Sequence, residues 1–513
     1  MVCFHYTIYL KNFTSSCFCA SMLVLLKKFS MQKLKKIYRE VYKNGKLFGI
    51  NRKLKVSPLL TKNRRKNSVA VGGGMLGDEG KGRVTDELTA NFLKKYKKVL
   101  HYRDNGGSNA GHTVEVGDVK IALHQLGAGV MQKGCTAVLG KEMVLHPDDL
   151  LLEIEEVSEA AGSKTIPAQL KIDEMASLCL DTHRGFEAVL KMRSSGSKGA
   201  TGRGVAPAYA DIVYRHPLRM RDLMARDWRR RFGKHYQFYN DLVKGFGFSL
   251  AKLEVPRLDG TILTVGSEKE FLARLRRAKK VLGPHIGPVQ SLVAKIWKSE
   301  VPVVFEKAQA LGLDKRWGVY PDVTASNCGF DGILSSTEGS VRPEEISARV
   351  ATIKATYSSS VGNRKLPTLM TGKLAHRIRE DADEYGATTK RPRDIACIDL
   401  PMMCFLFKTG GVEQIAITHL DIAYSNEPIK ICVGYKLGGK VVGYRPDQVY
   451  LNKVEPVYIE LPSWDGAKLQ AARKIEDLPK EALQYLAFMT QALEVGLFMV
   501  TVGPKREQTI SWW

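Results

Sequence analysis

Two glycine-rich turns, each directly after a short apolar run, constrain this chain more than any other feature. Val69-Ala70-Val71 reads as a strand, broken by Gly72-Gly73-Gly74 and followed by Gly77-Asp78-Glu79-Gly80-Lys81-Gly82. Val84, Leu88, Phe92 and Tyr96 then recur every fourth residue, and Lys94, Lys95, Lys97 and Lys98 gather at the far end. That is an amphipathic helix whose C-terminal dipole is met by positive charge. Val99-Leu-His-Tyr102 reads as a second strand and runs into Asn105-Gly-Gly-Ser-Asn-Ala-Gly-His-Thr113. Strand, glycine turn, helix, strand, glycine turn is α/β grammar, with ligand loops at strand ends. Ordered structure is expected from Ser68, with the two turns on adjacent strands.

The residue types in these turns suit phosphate chemistry. Glycines let backbone N–H groups approach phosphate oxygens, the following helix adds positive potential, and Lys81 adds a full charge. The turn is not a Walker A loop, because Met75 and Gly82 stand where that pattern needs Gly and Ser/Thr. Its acidic pair is unusual, since a carboxylate beside phosphate is repelled unless a metal or a proton transfer keeps it there. His112, on the second turn, is suited to donating a proton or hydrogen bond to a phosphate oxygen as charge develops. The plain alternatives are a solvated turn and a surface histidine.

Downstream, Pro147-Asp-Asp149 opens a helix, and residues 194–207 are too rich in Gly and Ser to be regular. Residues 226–300 carry a charged, mostly helical pattern. Val301-Pro-Val-Val-Phe305, ending in Glu306, reads as a strand, as do Ile415-Ala-Ile-Thr418 and Leu497-Phe-Met-Val500.

Charge and cysteines narrow the class. Of the 513 residues, 44% are hydrophobic and 26% charged, and the net charge is +25. Residues 1–67 hold 16 Lys or Arg against Glu40 alone, a net of +15, so the excess is mostly a property of this segment. Such a basic leader reads as a transit peptide, a disordered arm touching nucleic acid, or sequence upstream of a later start at Met22 or Met31. No apolar run is long enough to span a bilayer. Nine cysteines without a CxxC pair suit a reducing compartment. A cytoplasmic location is expected, with organellar import through residues 1–67 as the alternative.

Eight segments, in order from about residue 68 to 510, resemble the successive signatures of the adenylosuccinate synthetase family. They are Gly77-Asp-Glu-Gly-Lys-Gly82, Gly106-Gly-Ser-Asn-Ala-Gly-His-Thr113, Thr201-Gly-Arg-Gly-Val-Ala-Pro-Ala-Tyr209, Phe305-Glu-Lys-Ala-Gln309, Tyr320-Pro-Asp-Val-Thr-Ala-Ser-Asn327, Gly386-Ala-Thr-Thr-Lys-Arg-Pro-Arg393, Thr418-His-Leu-Asp421 and Val502-Gly-Pro504. The resemblance implies an α/β fold with a large central, mixed but mostly parallel sheet flanked by helices, P-loop-NTPase-like, with helical insertions. Residues 68–513 would form the catalytic domain. It implies a ligase joining L-aspartate to IMP at the expense of GTP through a 6-phosphoryl intermediate.

By matching position, Asp78 would be the base, His112 the general acid, and Lys81 and Gln309 further catalytic groups. Glu79, Gly80, Gly82, Gly111, Thr113 and Thr501 would bind GTP and its phosphates. His419, Asp421, Gly503 and Pro504 would surround the guanine. Asn109, Thr201, Thr324 and Val361 would contact IMP, with Arg215 reaching in from a second subunit of a homodimer. Thr389, Arg391 and Arg393 would take the aspartate carboxylates, and Mg²⁺ would sit against Asp78 and the Gly111 carbonyl. His419 stands where the common pattern has Lys, and Lys390 where it has Gly. The same chemistry on dGMP or with ATP, and a non-catalytic nucleotide- or RNA-binding homologue, are the competing readings.

Overall fold

The computed structural model describes Lys33 and residues 64–116, 119–193, 201–362, 364–386 and 391–511. The basic leader therefore lies outside the described residues except for Lys33 and its last four positions. The first strand runs Arg65–Gly73, starting four residues earlier than hydropathy places it. Arg65 joins it because its guanidinium donates to the carbonyls of Trp297 (2.9 Å) and Ser299 (3.0 Å), a tertiary anchor that an apolar pattern cannot register.

An eleven-stranded sheet organises the chain. Its path is Ile286–Gly287, Gln169–Asp173, Cys135–Leu145, Val99–Gly106, Val303–Ala310, Arg65–Gly73, Ile346–Lys354, Gln414–Thr418, Gly496–Thr501 and Thr509–Ser511, with Ser177–Leu178 beside Cys135–Leu145. Every pairing on the path is parallel except the last, Gly496–Thr501 with Thr509–Ser511. The mixed, mostly parallel sheet is therefore as expected. Both faces are covered by helices, which is why the central strands read as continuous apolar runs (Val69, Ala70 and Val71 are wholly buried) rather than alternating ones.

Two expectations are corrected here. The glycine turns do not leave adjacent strands, because Val303–Ala310 lies between Arg65–Gly73 and Val99–Gly106, paired in parallel with both. The second turn is also shorter than it reads. The strand at Val99 continues through Gly106, and His112 and Thr113 open a hairpin, His112–Val116 with Val119–Leu123. Backbone pairing to the neighbouring strand carries Asn105 and Gly106 into the sheet (Asn105 opposite Glu142, Gly106 opposite Met143), overriding their turn preference.

The helix after the first turn is Lys81–Tyr96, burying Val84, Leu88 and Phe92 as their spacing predicts. Pro147–Ala160 forms as expected. The glycine-rich stretch gives way to the Val205–Tyr214 helix, so its last residues are regular. Three helices span most of 226–300, interrupted by the hairpin of Glu254–Pro256 and Ile262–Thr264. Among the described residues no helix is long and apolar enough to cross a membrane.

The inserted strand holds an ion pair sealed inside the sheet. Lys307 and Asp104 are both wholly buried, and the ammonium donates to the carboxylate. Burial pushes the Asp104 carboxyl upward while Lys307 holds it down. Removing one partner strands a charge. Lys307→Met is expected to cost about 3–5 kcal/mol in denaturant unfolding, and adding Asp104→Leu to recover most of it.

Candidate active site

The first glycine turn folds around Glu79. Its carboxylate is 3% exposed, accepts N–H groups from Met75 (3.2 Å) and Gly77 (2.7 Å), and lies 3.3 Å from Lys81 Nζ. Glu79 thus braces the turn from within rather than pointing outward. Gly80, at φ +82°, caps the Lys81–Tyr96 helix without a side-chain partner, so the Lys81 and Gly82 N–H groups have no partner among the described residues and suit an anion. Gly73 is required by space, since a Cβ there would lie 2.5 Å from the Glu79 carboxylate. Asp78 sits in the left-handed region at φ +58°. Its side chain is 36% exposed and ion-paired with Arg393. A predicted base and a predicted aspartate anchor therefore hold each other.

His112 is not on a flexible loop. It is 3% exposed at the start of its hairpin, and its Nδ1 is hydrogen-bonded to Glu306 Oε1. Glu306 comes from the inserted strand and is itself completely buried. Its other oxygen meets His101 Nε2 at 2.6 Å, Thr85 Oγ1 at 3.1 Å and the Ala128 N–H at 2.9 Å. The His112 and His101 imidazoles hold Glu306 ionised, well below the usual carboxylate range despite its burial. An ionised Glu306 only accepts, so His112 Nδ1 carries the proton.

Burial pushes the imidazole down to about 4, with Arg103 and Lys81 adding to the effect and Glu306 opposing it. His112 is therefore neutral near pH 7. Its Nε2 is a bare lone pair, sealed from solvent with no protein partner among the described residues. Because Lys81 acts on His112 electrostatically, the two turns bear on one another across the inserted strand.

Gln309, four positions beyond Phe305, sits at φ +59°. Its Nε2 donates to Asn109 Oδ1 (3.1 Å), Asn109 Nδ2 lies 3.4 Å from Thr324 Oγ1, and Ser326 Oγ donates to Gln309 Oε1 (3.0 Å). Two residues expected at IMP, Asn109 and Thr324, thus form one chain with Gln309, expected among the catalytic groups. Val361 closes over the first turn, its N–H bonded to the Leu76 carbonyl (3.2 Å) and its Cγ2 2.9 Å from where a Gly77 Cβ would stand.

On the other side, Thr418 Oγ1 donates to the Glu79 carbonyl (3.0 Å). The His419 N–H meets Thr501 Oγ1 at 3.3 Å, and the Leu420 N–H donates to the Thr501 carbonyl (3.1 Å). His419 and Asp421 therefore lie beside the turn holding Gly503 and the exposed Pro504.

Thr201 is exposed, and Arg215 caps the exposed end of its helix with no ion pair to the site among the described residues. Arg391 is exposed and contributes its carbonyl to Gly386 N–H. Thr389 lies outside the described residues, as does the side chain of Thr113. Asp78, half exposed with one oxygen on Arg393, and the partly exposed Gly111 offer hard oxygen donors. Completed by phosphate oxygens and water, such a set fits Mg²⁺.

Elsewhere, His183, Asp211 and His235 are close enough to share a metal. However, the Leu180 N–H donates to His183 Nδ1 (2.9 Å), which puts the ring proton on Nε2, pointing at Asp211 (2.9 Å). That tautomer makes a hydrogen-bond network, not a ligand set.

The adenylosuccinate synthetase family model matches residues 70–510. The chain belongs to the adenylosuccinate synthetase family. The adenylosuccinate synthetase of Clostridium botulinum (strain Alaska E43 / Type E3) is 34% identical over 442 residues, covering 85% of this chain and 97% of the relative. That of Salinibacter ruber (strain DSM 13855 / M31) is 32% identical over 452 residues, 86% of this chain and 97% of the relative. Among solved structures, fully ligated adenylosuccinate synthetase from Plasmodium falciparum superposes with a TM-score of 0.77. It is 28% identical and covers 87% of this chain and all of the other. The succinoaminodeoxyadenylate synthetase of cyanophage S-2L, solved with dGMP and dATP, shares the fold alone. Its TM-score is 0.52 at 17% identity, over 87% of this chain and 96% of that one.

Glu306 is the residue of this adenylosuccinate synthetase family site that sequence reasoning left without a role. Its signal was the charged pair Glu306-Lys307 inside an otherwise apolar strand. Glu306→Gln leaves two histidines without their shared anion. It is expected to destabilise the protein by about 3 kcal/mol and to lower kcat about 100-fold, as read by unfolding and steady-state kinetics. An anionic phosphate near His112 Nε2 opposes the burial effect and raises its affinity for protons. Nucleotide binding is therefore expected to take up protons below neutrality, more at pH 6 than at pH 8, as seen by calorimetry in two buffers. The same sign makes His112 cost stability as pH falls from 6.5 toward 4, a loss absent in His112→Asn.

Proposed function

We propose that this chain catalyses the joining of L-aspartate to IMP, with GTP giving up its terminal phosphate. The observation that carries the reading is the convergence of two phosphate-type turns, bearing Asp78 and Lys81 on one and His112 on the other, on a strand that supplies Glu306 and Gln309. O6 of a purine lactam is a poor nucleophile and a poor leaving group. Asp78 takes the N1 proton, O6 attacks the γ-phosphorus, and the bond to the β–γ bridging oxygen breaks, releasing GDP. The aspartate amine then displaces the 6-phosphate, giving adenylosuccinate and inorganic phosphate.

Each described group has a task. The helix N-terminus at Gly80–Gly82 and Lys81 hold phosphate oxygens. His112, fixed by Glu306, meets the departing phosphate oxygen once protonated. The Asn109–Gln309–Thr324 chain exchanges its internal bonds for the hypoxanthine and 5′-phosphate. Arg393 exchanges Asp78 for a substrate carboxylate, freeing the base as aspartate arrives, with Arg391 and Thr389 alongside. Asp78 and the Gly111 carbonyl would hold Mg²⁺, which when bound neutralises phosphate charge.

A homodimer is part of this proposal. Val213 (79% exposed) and Tyr214 (69%) flank Arg215, and Tyr214 stacks on His216, which abuts Phe238. An exposed apolar face around an arginine with no ion pair among the described residues suits a second copy that receives Arg215 at its IMP site. A cytoplasmic address, or import through residues 1–67, accompanies the reading.

Purified protein with IMP, GTP, Mg²⁺ and aspartate is expected to develop adenylosuccinate absorbance. Replacement of IMP by dGMP, or of GTP by ATP, is expected to slow it strongly. Asp78→Asn is expected to lower kcat at least about 100-fold while nucleotide binding persists. Turnover surviving that substitution would remove Asp78 as the base.

A further inference from the structure

Arg364 is a buried cation met by backbone oxygens rather than by an acid. It is 3% exposed, and no carboxylate lies within ion-pair distance of it among the described residues. Nη1 donates to the Gly312 carbonyl (3.2 Å), and Nη2 donates to the carbonyls of Asp322 (2.5 Å) and Val361 (3.3 Å). Burial lowers the pKa of the guanidinium, and the field of the Asp322 carboxylate raises it. An arginine keeps its proton through such opposition, so carbonyl dipoles solvate a full charge here.

The three carbonyls come from separate stretches of chain, and each stretch leads to a residue placed at the acceptor nucleotide. Gly312 follows Gln309 by three positions, Asp322 precedes Thr324 by two, and Val361 is itself such a residue. Backbone bonds complete the frame. The Gly312 N–H donates to the Met75 carbonyl (2.8 Å), the Thr324 N–H to the Leu313 carbonyl (2.7 Å), and the Val361 N–H to the Leu76 carbonyl (3.2 Å). Carbonyl oxygens that converge in a buried space repel one another unless a cation stands between them. Loss of the guanidinium strips each of a charge-assisted donor and lets the stretches separate.

We propose that Arg364 is a positioning residue for the acceptor nucleotide, its guanidinium clamping the Gly312, Asp322 and Val361 carbonyls so that Gln309, Thr324 and Val361 keep one spacing. Its effect falls mainly on one substrate. The donor side of the site hangs instead on the Thr418 bond to the Glu79 carbonyl and the His419 bond to Thr501. The proposal rests on the acceptor subsite assigned above, whichever 6-oxopurine nucleotide fills it.

Binding to the full chain, measured by calorimetry for IMP and for GTP with Mg²⁺ separately, reads the split. Arg364→Met, which keeps the length and loses every donor, is expected to weaken IMP about thirtyfold and GTP by less than about threefold. Arg364→Lys keeps the charge but not the planar fork, and should weaken IMP about fivefold. Steady-state kinetics should show the same split, a raised KM for IMP with kcat lowered less than about fivefold. Hydrogen exchange at the Gly312, Thr324 and Val361 amides should quicken together in both variants, at least about tenfold in Arg364→Met, while the Lys81–Tyr96 helix keeps its protection. Equal weakening of IMP and GTP, or unchanged IMP binding in Arg364→Met, would overturn the proposal. Should Arg364→Met fail to fold, the binding ratio and the exchange in Arg364→Lys still decide. A natural protein that binds dGMP and not IMP would fault the acceptor named above, and the same split measured with dGMP then decides the role of Arg364.

Discussion

The carboxylate of Glu306 joins the two halves of the site. It is fully buried, yet two imidazoles, a threonine hydroxyl and a backbone N–H converge on its oxygens. A buried charge is tolerable only when solvated by fixed dipoles, and those come from the Lys81–Tyr96 helix, the Val99–Gly106 strand, the turn at Ala128 and the His112 hairpin. Each element must be in place for the charge to be met. The same contact that locks four elements together also orients His112, so stability and the site's geometry draw on one interaction.

Around that pin, the site is electrostatically prepared before any ligand arrives. Glu79 consumes inward-facing N–H groups, while the helix N-terminus carries no side-chain cap among the described residues. Arg393 occupies Asp78. His112 presents an unpartnered lone pair in a closed space, and the Gln309 chain satisfies its own polar atoms internally. Such groups lose hydrogen bonds when a ligand enters and regain them on it, which favours ligands that reproduce the pattern of donors and acceptors. The cost of preorganisation is carried by folding rather than by binding.

Much of the fold was legible because its grammar is local. The helical spacing of Val84, Leu88 and Phe92 and the apolar strand at Val69 follow from periodicity, and the proline-opened helix at Pro147 from capping chemistry. The phosphate turn was legible for the same reason, since glycine, lysine and helix start are contiguous. Strand order was not. Nothing between residues 70 and 113 announces that a strand some two hundred positions later slides between them, and so Glu306 had no visible role. The extension of the second strand through Asn105 and Gly106 was equally hidden, because pairing energy from Glu142 and Met143 outweighs local turn preference.

By itself the sequence determined the α/β class, the anion-binding character of the first turn and the residue types available for proton transfer. These depend on neighbours in the chain. The tertiary structure decided which atoms of those residues are free. It put the His112 proton on Nδ1 and paired Asp78 with Arg393. Protonation and tautomer are set by what lies within about 3 Å in space, and the partners involved are separated by tens to hundreds of positions along the chain.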